Sequence, residues 1–173
     1  IAGILCSAII SDTLKFRSPT CTYTDIRMAE RLAELAGIKD IDEYAQKMFQ
    51  AGSVLVGKTP EEIFTRDFKA YELGRYKIGI SQINVFGTEF SAEMKKEVLG
   101  FMEGYCRAKG FDLLILMLPD MMKENTELLF TGESRELVSL AFEAQPKGNT
   151  LFLPGTLSRK KQVVPLLSAA AQS

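Results

Sequence analysis

The sequence predicts an α/β protein, and three observations indicate that class. Stretches with apolar residues at helical spacing alternate along the chain with short apolar runs of strand length. Glycine or proline stands at the end of many of these stretches, where it interrupts regular structure. The apolar run Phe111–Leu118 lies between Gly110 and Pro119, which is typical of a central strand buried on both faces. This alternation favours helices packed on a sheet.

The first fifty residues contain the signals of several helices. Ile1–Ile10 is apolar enough to form a buried helix or a buried strand. Thr22 or Thr24 can cap a helix that ends at Gly37, and apolar residues recur between them at helical spacing. A further amphipathic helix is expected over Asp42–Ala51. We expect the last two helices to cover a core with their apolar faces.

A domain boundary is predicted near residue 55. The segment 53–58 contains Gly57 and lacks helical spacing, so it is the best candidate for a linker. The next four residues, 59–62, combine a cap-forming threonine, a proline and two acids, which is typical of a helix start. We therefore expect one domain to end before the linker and another to begin after it.

The second part of the chain predicts alternating strands and helices. Two strands flank the turn at Gly74 and Arg75, and Gly110 ends the helix that follows them. The expected elements are strands 69–73 and 76–85, helix 91–108, strands 111–118 and 128–130, helix 134–142, strand 150–153 and a basic C-terminal helix.

The composition excludes several classes of function. The 173 residues are 46% hydrophobic and carry a formal net charge of −1. Because there is no basic excess, we do not expect the chain to bind nucleic acid through many phosphate contacts. No apolar stretch reaches the length of a membrane helix, so we expect no membrane association.

Cysteine and histidine usage narrows the chemistry further. The three cysteines, Cys6, Cys21 and Cys106, are odd in number and show no spacing typical of a metal site. This pattern predicts free thiols in the reducing cytoplasm. The chain has no histidine, which removes the usual general base and the commonest transition-metal ligand. The sequence therefore argues against a self-contained serine or cysteine hydrolase.

The most informative local feature is the basic run at 158–165. It contains Arg159, Lys160 and Lys161, and no aspartate or glutamate follows Glu143. Since no acid nearby in sequence cancels this charge, the run predicts an anion site, in which an arginine fork can grip two phosphate oxygens. The alternative, which the run alone leaves open, is a solvated start of the C-terminal helix.

Two further residues are candidates for a functional site. Asp12 ends an apolar segment, where a carboxylate is costly to bury without a partner; the alternative is an aspartate that caps its own helix. Lys69 begins a predicted strand and could face a site or be a simple exposed lysine.

Three separated segments carry a resemblance to a known family. Residues 8–22 (AIISDTLKFRSPTCT), the pair Asp67 and Lys69, and residues 158–165 (SRKKQVVP) closely resemble motifs of the manganese-dependent, family II inorganic pyrophosphatases of the DHH phosphoesterase superfamily. The motifs occur in the family's order, and the similarity extends over essentially the whole chain. The resemblance implies the end of a DHH-type α/β metal-binding domain in 1–52, a hinge linker in 53–58, and a smaller substrate-binding α/β domain with a mixed sheet in 59–173.

The resemblance also implies roles for single residues. Asp12 matches a metal ligand, and Lys69, Arg159 and Lys160 match the cations that bind the phosphates of the substrate. The implied reaction is hydrolysis of pyrophosphate to two phosphates by a metal-activated hydroxide. Manganese or cobalt would be the resident metal, and magnesium would arrive with the substrate. No general base is identified within this chain.

The chain departs from the family in lacking the other metal ligands, histidines included. Asp12 alone cannot hold a pair of divalent ions. We therefore expect the chain to be a fragment, inactive without the missing N-terminal part, and the resemblance implies a homodimer. Two alternatives stay open: a phosphodiesterase of the same superfamily that acts on short oligonucleotides or cyclic dinucleotides, and a non-enzymatic anion-sensing module.

Overall fold

The computed structural model describes residues 1–18, 20–51, 55, 57–85, 90–120 and 123–172. The chain forms two compact units, residues 1–53 and 54–173. The helices are α1 (Ala2–Asp12), α2 (Tyr23–Ala36), α3 (Ile41–Ala51), α4 (Pro60–Thr65), α5 (Ala92–Lys109), α6 (Glu136–Phe142) and α7 (Val164–Ala170), with a π-helical turn (Arg159–Val163) before α7. The strands are β1 (Phe68–Leu73), β2 (Tyr76–Gln82), β3 (Leu113–Asp120), β4 (Asn125–Thr131) and β5 (Thr150–Pro154).

The first unit is helical, as its sequence predicts. Thr22 caps α2 through a capping box with Asp25, and Gly37 ends the helix in the left-handed conformation at φ 73°. Helix α1 packs on α2 and α3, but it is less buried than its apolar sequence suggests. Cys6 and Ile10 are fully buried, whereas Ile4 is 75% exposed, because α2 and α3 cover one face of α1 and leave the opposite face open.

The second unit is built on a five-stranded mixed sheet in the order β1-β2-β3-β4-β5. Neighbouring strands are antiparallel except β2 and β3, which are parallel and are joined through α5. Strand β3 is buried along its whole length, so the central strand predicted from the apolar run is confirmed. The predicted α/β class with a mixed sheet is confirmed as well.

One face of this sheet packs against α6, the π-helical turn and α7. Ile78, Ile80 and Met117 of the sheet form a fully buried cluster with Val138 and Leu167 from the helices. This packing sets the π-helical turn close to β1 and β2, where the candidate site lies.

The opposite face packs against α4 and α5. Leu114 and Leu116 lie in a second buried cluster with Phe64 and Met102. A Cβ atom at Gly79 would meet the Leu114 side chain and the Phe68 ring at 2.5 to 2.6 Å, so any larger residue there would displace these side chains. Helices therefore cover both faces of the sheet.

The structure corrects the predicted ends of two strands. Strand β2 ends at Gln82, and Val85 makes a single bridge to Asp120 where the sequence predicted a continuous strand. Strand β3 does not stop before Pro119. The Pro119 carbonyl accepts a hydrogen bond from the Val85 N–H at 2.8 Å, and Pro119 pairs with Thr126, so a proline without an N–H is tolerated near the strand end.

Three further predictions concern the start of helix α6, the linker and membrane-spanning helices. Helix α6 begins at Glu136, two residues after the expected start. Three residues of the expected linker, 53, 54 and 56, lie outside the described residues. None of the helices in the described ranges is long and apolar enough to cross a membrane.

Candidate functional site

The basic run is held in place by the side chain of Gln162. Its Oε1 accepts hydrogen bonds from the backbone N–H groups of Leu157 and Ser158, both at 2.9 Å, and its Nε2 donates to the Gly155 carbonyl at 2.8 Å. The Ser158 hydroxyl accepts a further bond from the Lys161 N–H at 3.2 Å. Sequence reasoning gave Gln162 no direct role, yet this residue fixes the loop that presents the cations.

The run opens with a π-helical turn, which corrects the prediction of a continuous basic helix. The Val163 N–H reaches the Ser158 carbonyl at 3.3 Å, a spacing of five residues. Pro165 lacks the N–H that a continuous α-helix would donate to the Lys161 carbonyl, so the chain forms a wider turn before α7, which begins at Val164. As a result Arg159 is buried, while Lys160 and Lys161 are exposed.

Arg159 is anchored to the start of the β1–β2 hairpin. Its Nη2 donates to both carboxylate oxygens of Asp67, at 2.9 and 3.1 Å. Its Nη1 donates to the main-chain carbonyls of Asp67 and Ile80, at 2.5 and 3.1 Å. The Arg159 backbone N–H also bonds the Gln82 side chain at 3.4 Å. The expectation that no acid cancels the charge of the run is therefore wrong, because Asp67 supplies one from 92 positions away.

Two lysines approach the same place from different segments. Lys69 lies opposite Ile80 in the β1–β2 register, on the face that packs against the π-helical turn. Lys160 follows Arg159 in that turn. Both are exposed, and neither makes a salt bridge or a side-chain hydrogen bond among the described residues. Their ammonium groups are therefore available to an external anion.

These groups surround one cavity of about 480 Å³. That volume is within the range of small-molecule sites. Its charged lining holds three cations and one carboxylate, so its net charge is positive. The lining residues are Asp67, Lys69, Tyr71, Gln82, Leu157, Ser158, Arg159 and Lys160.

The structure brings two residues to this cavity that the sequence analysis did not consider, Tyr71 and Gln82. A signal for them exists in the chain. Asp67, Lys69 and Tyr71 recur at a spacing of two, which places alternate residues of a strand on one face. Gln82 follows Ile80 at the same spacing on the paired strand. The alternation of side chains along both strands would have placed Asp67, Lys69, Tyr71 and Gln82 on one face of the sheet.

Asp12 lies in the first unit, as the last residue of α1. Its side chain is exposed and makes no hydrogen bond within the part of the chain that the structure describes, so the self-capping alternative is not observed. The residues after it are unusual. Leu14, Lys15 and Phe16 have φ values of 49°, 54° and 67°, a left-handed turn that costs about 1–2 kcal/mol per residue.

Local bonds hold this left-handed turn. The Thr13 hydroxyl donates to the Ile9 carbonyl at 2.6 Å and accepts from the Phe16 N–H at 3.2 Å. The Lys15 ammonium group bonds the Asp42 carboxylate at 2.5 Å. Backbone strain of this kind clusters at functional sites.

A metal centre is not assembled by the described residues alone. They contain no group of three or more histidine, cysteine, aspartate or glutamate side chains that could hold a metal ion. Asp12 offers one carboxylate, a ligand type that suits hard divalent cations. The described residues could thus supply one ligand of such a centre, but they do not form the centre by themselves.

Two of the three cysteines, Cys6 and Cys106, are not placed for catalysis. Burial raises the pKa of the Cys6 and Cys106 thiols, which keeps them protonated. The Cys106 Sγ donates to the Phe111 carbonyl at 3.0 Å, and the Cys6 Sγ donates to the Ala29 carbonyl at 3.5 Å. Both thiols are free and buried in the interior of the fold.

The second unit is thus an α/β domain with a cavity whose charged lining residues are three cations and one carboxylate. The chain belongs to the DHHA2 domain family, which matches residues 46–170. It is 47% identical over 171 residues to a probable manganese-dependent inorganic pyrophosphatase of Clostridium acetobutylicum, covering 99% of this chain and 55% of that protein. It is 42% identical to a manganese-dependent inorganic pyrophosphatase of Methanocaldococcus jannaschii, covering 98% of this chain and 55% of that protein.

Two further similarities extend the comparison. The chain is 45% identical to a cobalt-dependent inorganic pyrophosphatase of Clostridium perfringens, covering 96% of this chain and 30% of that protein. The crystal structure of a candidate family II inorganic pyrophosphatase of Methanococcus jannaschii matches with a TM-score of 0.75 and 41% identity, covering 99% of this chain and 56% of the other. The resemblance identified from the three motifs is confirmed. The chain spans about half the length of most of these relatives.

Proposed function

We propose that the second unit is the substrate-binding part of an inorganic pyrophosphatase, and that Lys69, Arg159 and Lys160 bind pyrophosphate. The observation that supports this most is the convergence of these three cations, from segments about ninety residues apart, on one cavity. Pyrophosphate is small and highly charged, and such anions are bound by clustered lysine and arginine donors.

The three cations have different parts in this proposal. Lys69 and Lys160 act as mobile point charges that contact the phosphate oxygens directly. The Arg159 guanidinium group is fixed in place, because its Nη1 donates to two main-chain carbonyls, and it contributes positive charge and its Nη2 edge to the cavity. Together they orient the anion and stabilise the negative charge that develops on the leaving phosphate.

A divalent metal is part of the proposal, with Asp12 as one of its ligands. The names of the relatives point to manganese or cobalt, and magnesium would accompany the substrate. When bound, such ions lower the pKa of a coordinated water so that hydroxide forms near neutral pH. The remaining ligands would come from outside these 173 residues, since the chain spans about half of the relatives.

The domain limits and partners belong to the same proposal. Residues 1–52 would complete a metal-binding domain, 53–58 would form a hinge, and 59–173 would close on the substrate. The whole protein would be a cytoplasmic homodimer. Gel filtration of the intact gene product tests the dimer, and fractionation of cells tests the location.

One observation favours a second class of substrate, the nucleotides. The side chain of Tyr71 lines the cavity, so an aromatic ring lies near the cations. A nucleobase could contact such a ring. Tyr71 is, however, partly buried and packs against the core of the sheet, which leaves less of its ring for stacking.

The test is an assay of the intact gene product with manganese, using pyrophosphate and a cyclic dinucleotide as competing substrates. We expect hydrolysis of pyrophosphate only, and a loss of at least tenfold in kcat/KM for Lys160→Ala. Lys161→Ala is the matched control, because Lys161 is the adjacent exposed lysine and does not line the cavity. Equal losses for both variants, or turnover of the dinucleotide alone, would contradict the proposal.

A further inference from the structure

The Asp67 carboxylate occupies the part of Arg159 that an anion would use. Both carboxylate oxygens accept hydrogen bonds from Nη2, at 2.9 and 3.1 Å. The Asp67 side chain is 49% exposed, whereas the Arg159 side chain is 8% exposed, so the carboxylate lies between the guanidinium group and solvent. Carboxylate and phosphate oxygens are alternative ligands for the same arginine donors.

Arg159 is also held by contacts that do not depend on the charge of Asp67. Its Nη1 donates to two main-chain carbonyls, those of Asp67 and Ile80. Its backbone is fixed by the π-helical turn and by the Gln82 side chain. Neutralising the Asp67 carboxylate should therefore leave the guanidinium group in place and weaken the competing contact at its Nη2 edge.

We propose that Asp67 is an internal competitor for anions, and that its charge limits how tightly the cavity binds pyrophosphate and phosphate. The inference rests on the proposed function. An anion that reaches Nη2 must displace the Asp67 carboxylate. The negative charge of this carboxylate also repels any anion in the cavity. When a product phosphate leaves, the carboxylate returns to the guanidinium group, so the same contact that weakens binding favours product release.

The experiment compares the wild-type chain with Asp67→Asn, which keeps the side-chain shape and removes the charge. Binding of inorganic pyrophosphate and of inorganic phosphate is measured by titration calorimetry at low ionic strength. We expect Asp67→Asn to bind pyrophosphate about three to ten times more tightly, the effect of removing one unit charge a few ångströms away. Glu72→Gln is the matched control, because it removes an exposed acid outside the cavity from β1, the strand that follows Asp67, and it should change affinity by less than twofold.

A second measurement on the wild-type chain needs no variant. In ¹⁵N-labelled protein, the guanidinium signals of Arg159 should shift when pyrophosphate saturates the cavity, because Nη2 exchanges its carboxylate partner for a phosphate oxygen. Unchanged guanidinium signals at saturation would overturn the proposal even if Asp67→Asn failed to fold.

The outcomes separate this inference from the proposed function. If wild type binds pyrophosphate and a folded Asp67→Asn binds it equally or more weakly, Asp67 is no competitor, and the proposed function stands. If neither protein binds pyrophosphate or phosphate, both proposals are overturned. Binding by Asp67→Asn alone supports the inference, because it shows that the carboxylate blocks the cavity.

Discussion

The guanidinium group of Arg159 donates two Nη2 hydrogen bonds to the carboxylate of Asp67, at 2.9 and 3.1 Å, across 92 positions of sequence. This pair joins the C-terminal basic run to the beginning of the sheet. It also divides the cations of the run into one buried, neutralised arginine and exposed lysines. Among the described residues, Arg159 thus has a structural contact that Lys160 and Lys161 lack.

Replacing Arg159 should destabilise the fold. Arg159→Met removes the partner of the Asp67 carboxylate and leaves the Ile80 carbonyl without its side-chain donor. We expect a loss of about 2–4 kcal/mol in the free energy of unfolding, below the full cost of a broken buried pair because Asp67 is half exposed. Urea denaturation measures the change, with Lys161→Ala as a control expected to stay within about 0.5 kcal/mol. A loss for Arg159→Met no larger than that of the control would show that the pair does not stabilise the fold.

Gln162 should matter for binding although it does not line the cavity. Gln162→Ala removes the bonds to Leu157, Ser158 and Gly155 and loosens the loop that presents Lys160. We expect pyrophosphate affinity to fall severalfold and stability to fall by about 1–3 kcal/mol. Calorimetric titration and urea denaturation measure these effects. Gln46→Ala, at an exposed position of α3, is the control. An unchanged pyrophosphate affinity in Gln162→Ala would show that the Gln162 side chain does not position Lys160 for binding.

The capping box of α4 predicts a pH dependence of stability. The Thr59 backbone N–H and the Lys58 side chain hold the pKa of Glu62 below its ordinary value. Since the folded-state pKa is lowered, the stabilisation is present above the unfolded pKa and is lost as pH falls through the folded value. Wild type should therefore be more stable than Glu62→Gln at pH 6, and the gap should narrow below about pH 4.

Urea denaturation at several pH values measures that gap. Glu61→Gln serves as the control, because the side chain of Glu61 takes no part in the capping box. A gap between wild type and Glu62→Gln that is constant from pH 6 to pH 3 would contradict the role of the ionised carboxylate.

The role of Asp12 predicts a difference between the chain and the intact gene product. Residues 1–173 alone should show no hydrolysis of pyrophosphate with added manganese, since the described residues contain no group of three metal-ligating side chains. In the intact gene product, Asp12→Ala should weaken manganese binding at least tenfold. Glu30→Ala, an exposed acid on α2, is the control. Hydrolysis by the 173-residue chain, or unchanged manganese affinity in Asp12→Ala, would refute this assignment.

Local signals in the sequence predicted much of the fold. The caps at Thr22 and Thr59, the glycine stop at Gly37 and the buried strand β3 depend on residues close in sequence, and the structure has all of them. Errors arose where a segment distant in sequence determines the end of an element. Pro119 was expected to end β3, but the segment at Val85 of the same chain extends the pairing past it.

The site was less predictable than the fold. The motif resemblance indicated Lys69, Arg159 and Lys160, and the structure lines one cavity with them. The partner of Arg159 was missed because no local pattern reports a contact across 92 positions. The left-handed turn after Asp12 was missed too, because it is built from Leu14, Lys15 and Phe16, residue types that disfavour positive φ.

The central claim is that the exposed lysines of the cavity bind pyrophosphate, and calorimetric titration of the 173-residue chain tests it most directly. Wild type should bind pyrophosphate, and a double variant of Lys69→Ala and Lys160→Ala should lose at least tenfold in affinity. A double variant outside the cavity, Lys96→Ala and Lys161→Ala, removes the same charge and should lose less than threefold. Equal losses in the two double variants would show that net charge, not this cavity, governs binding, and would contradict the account.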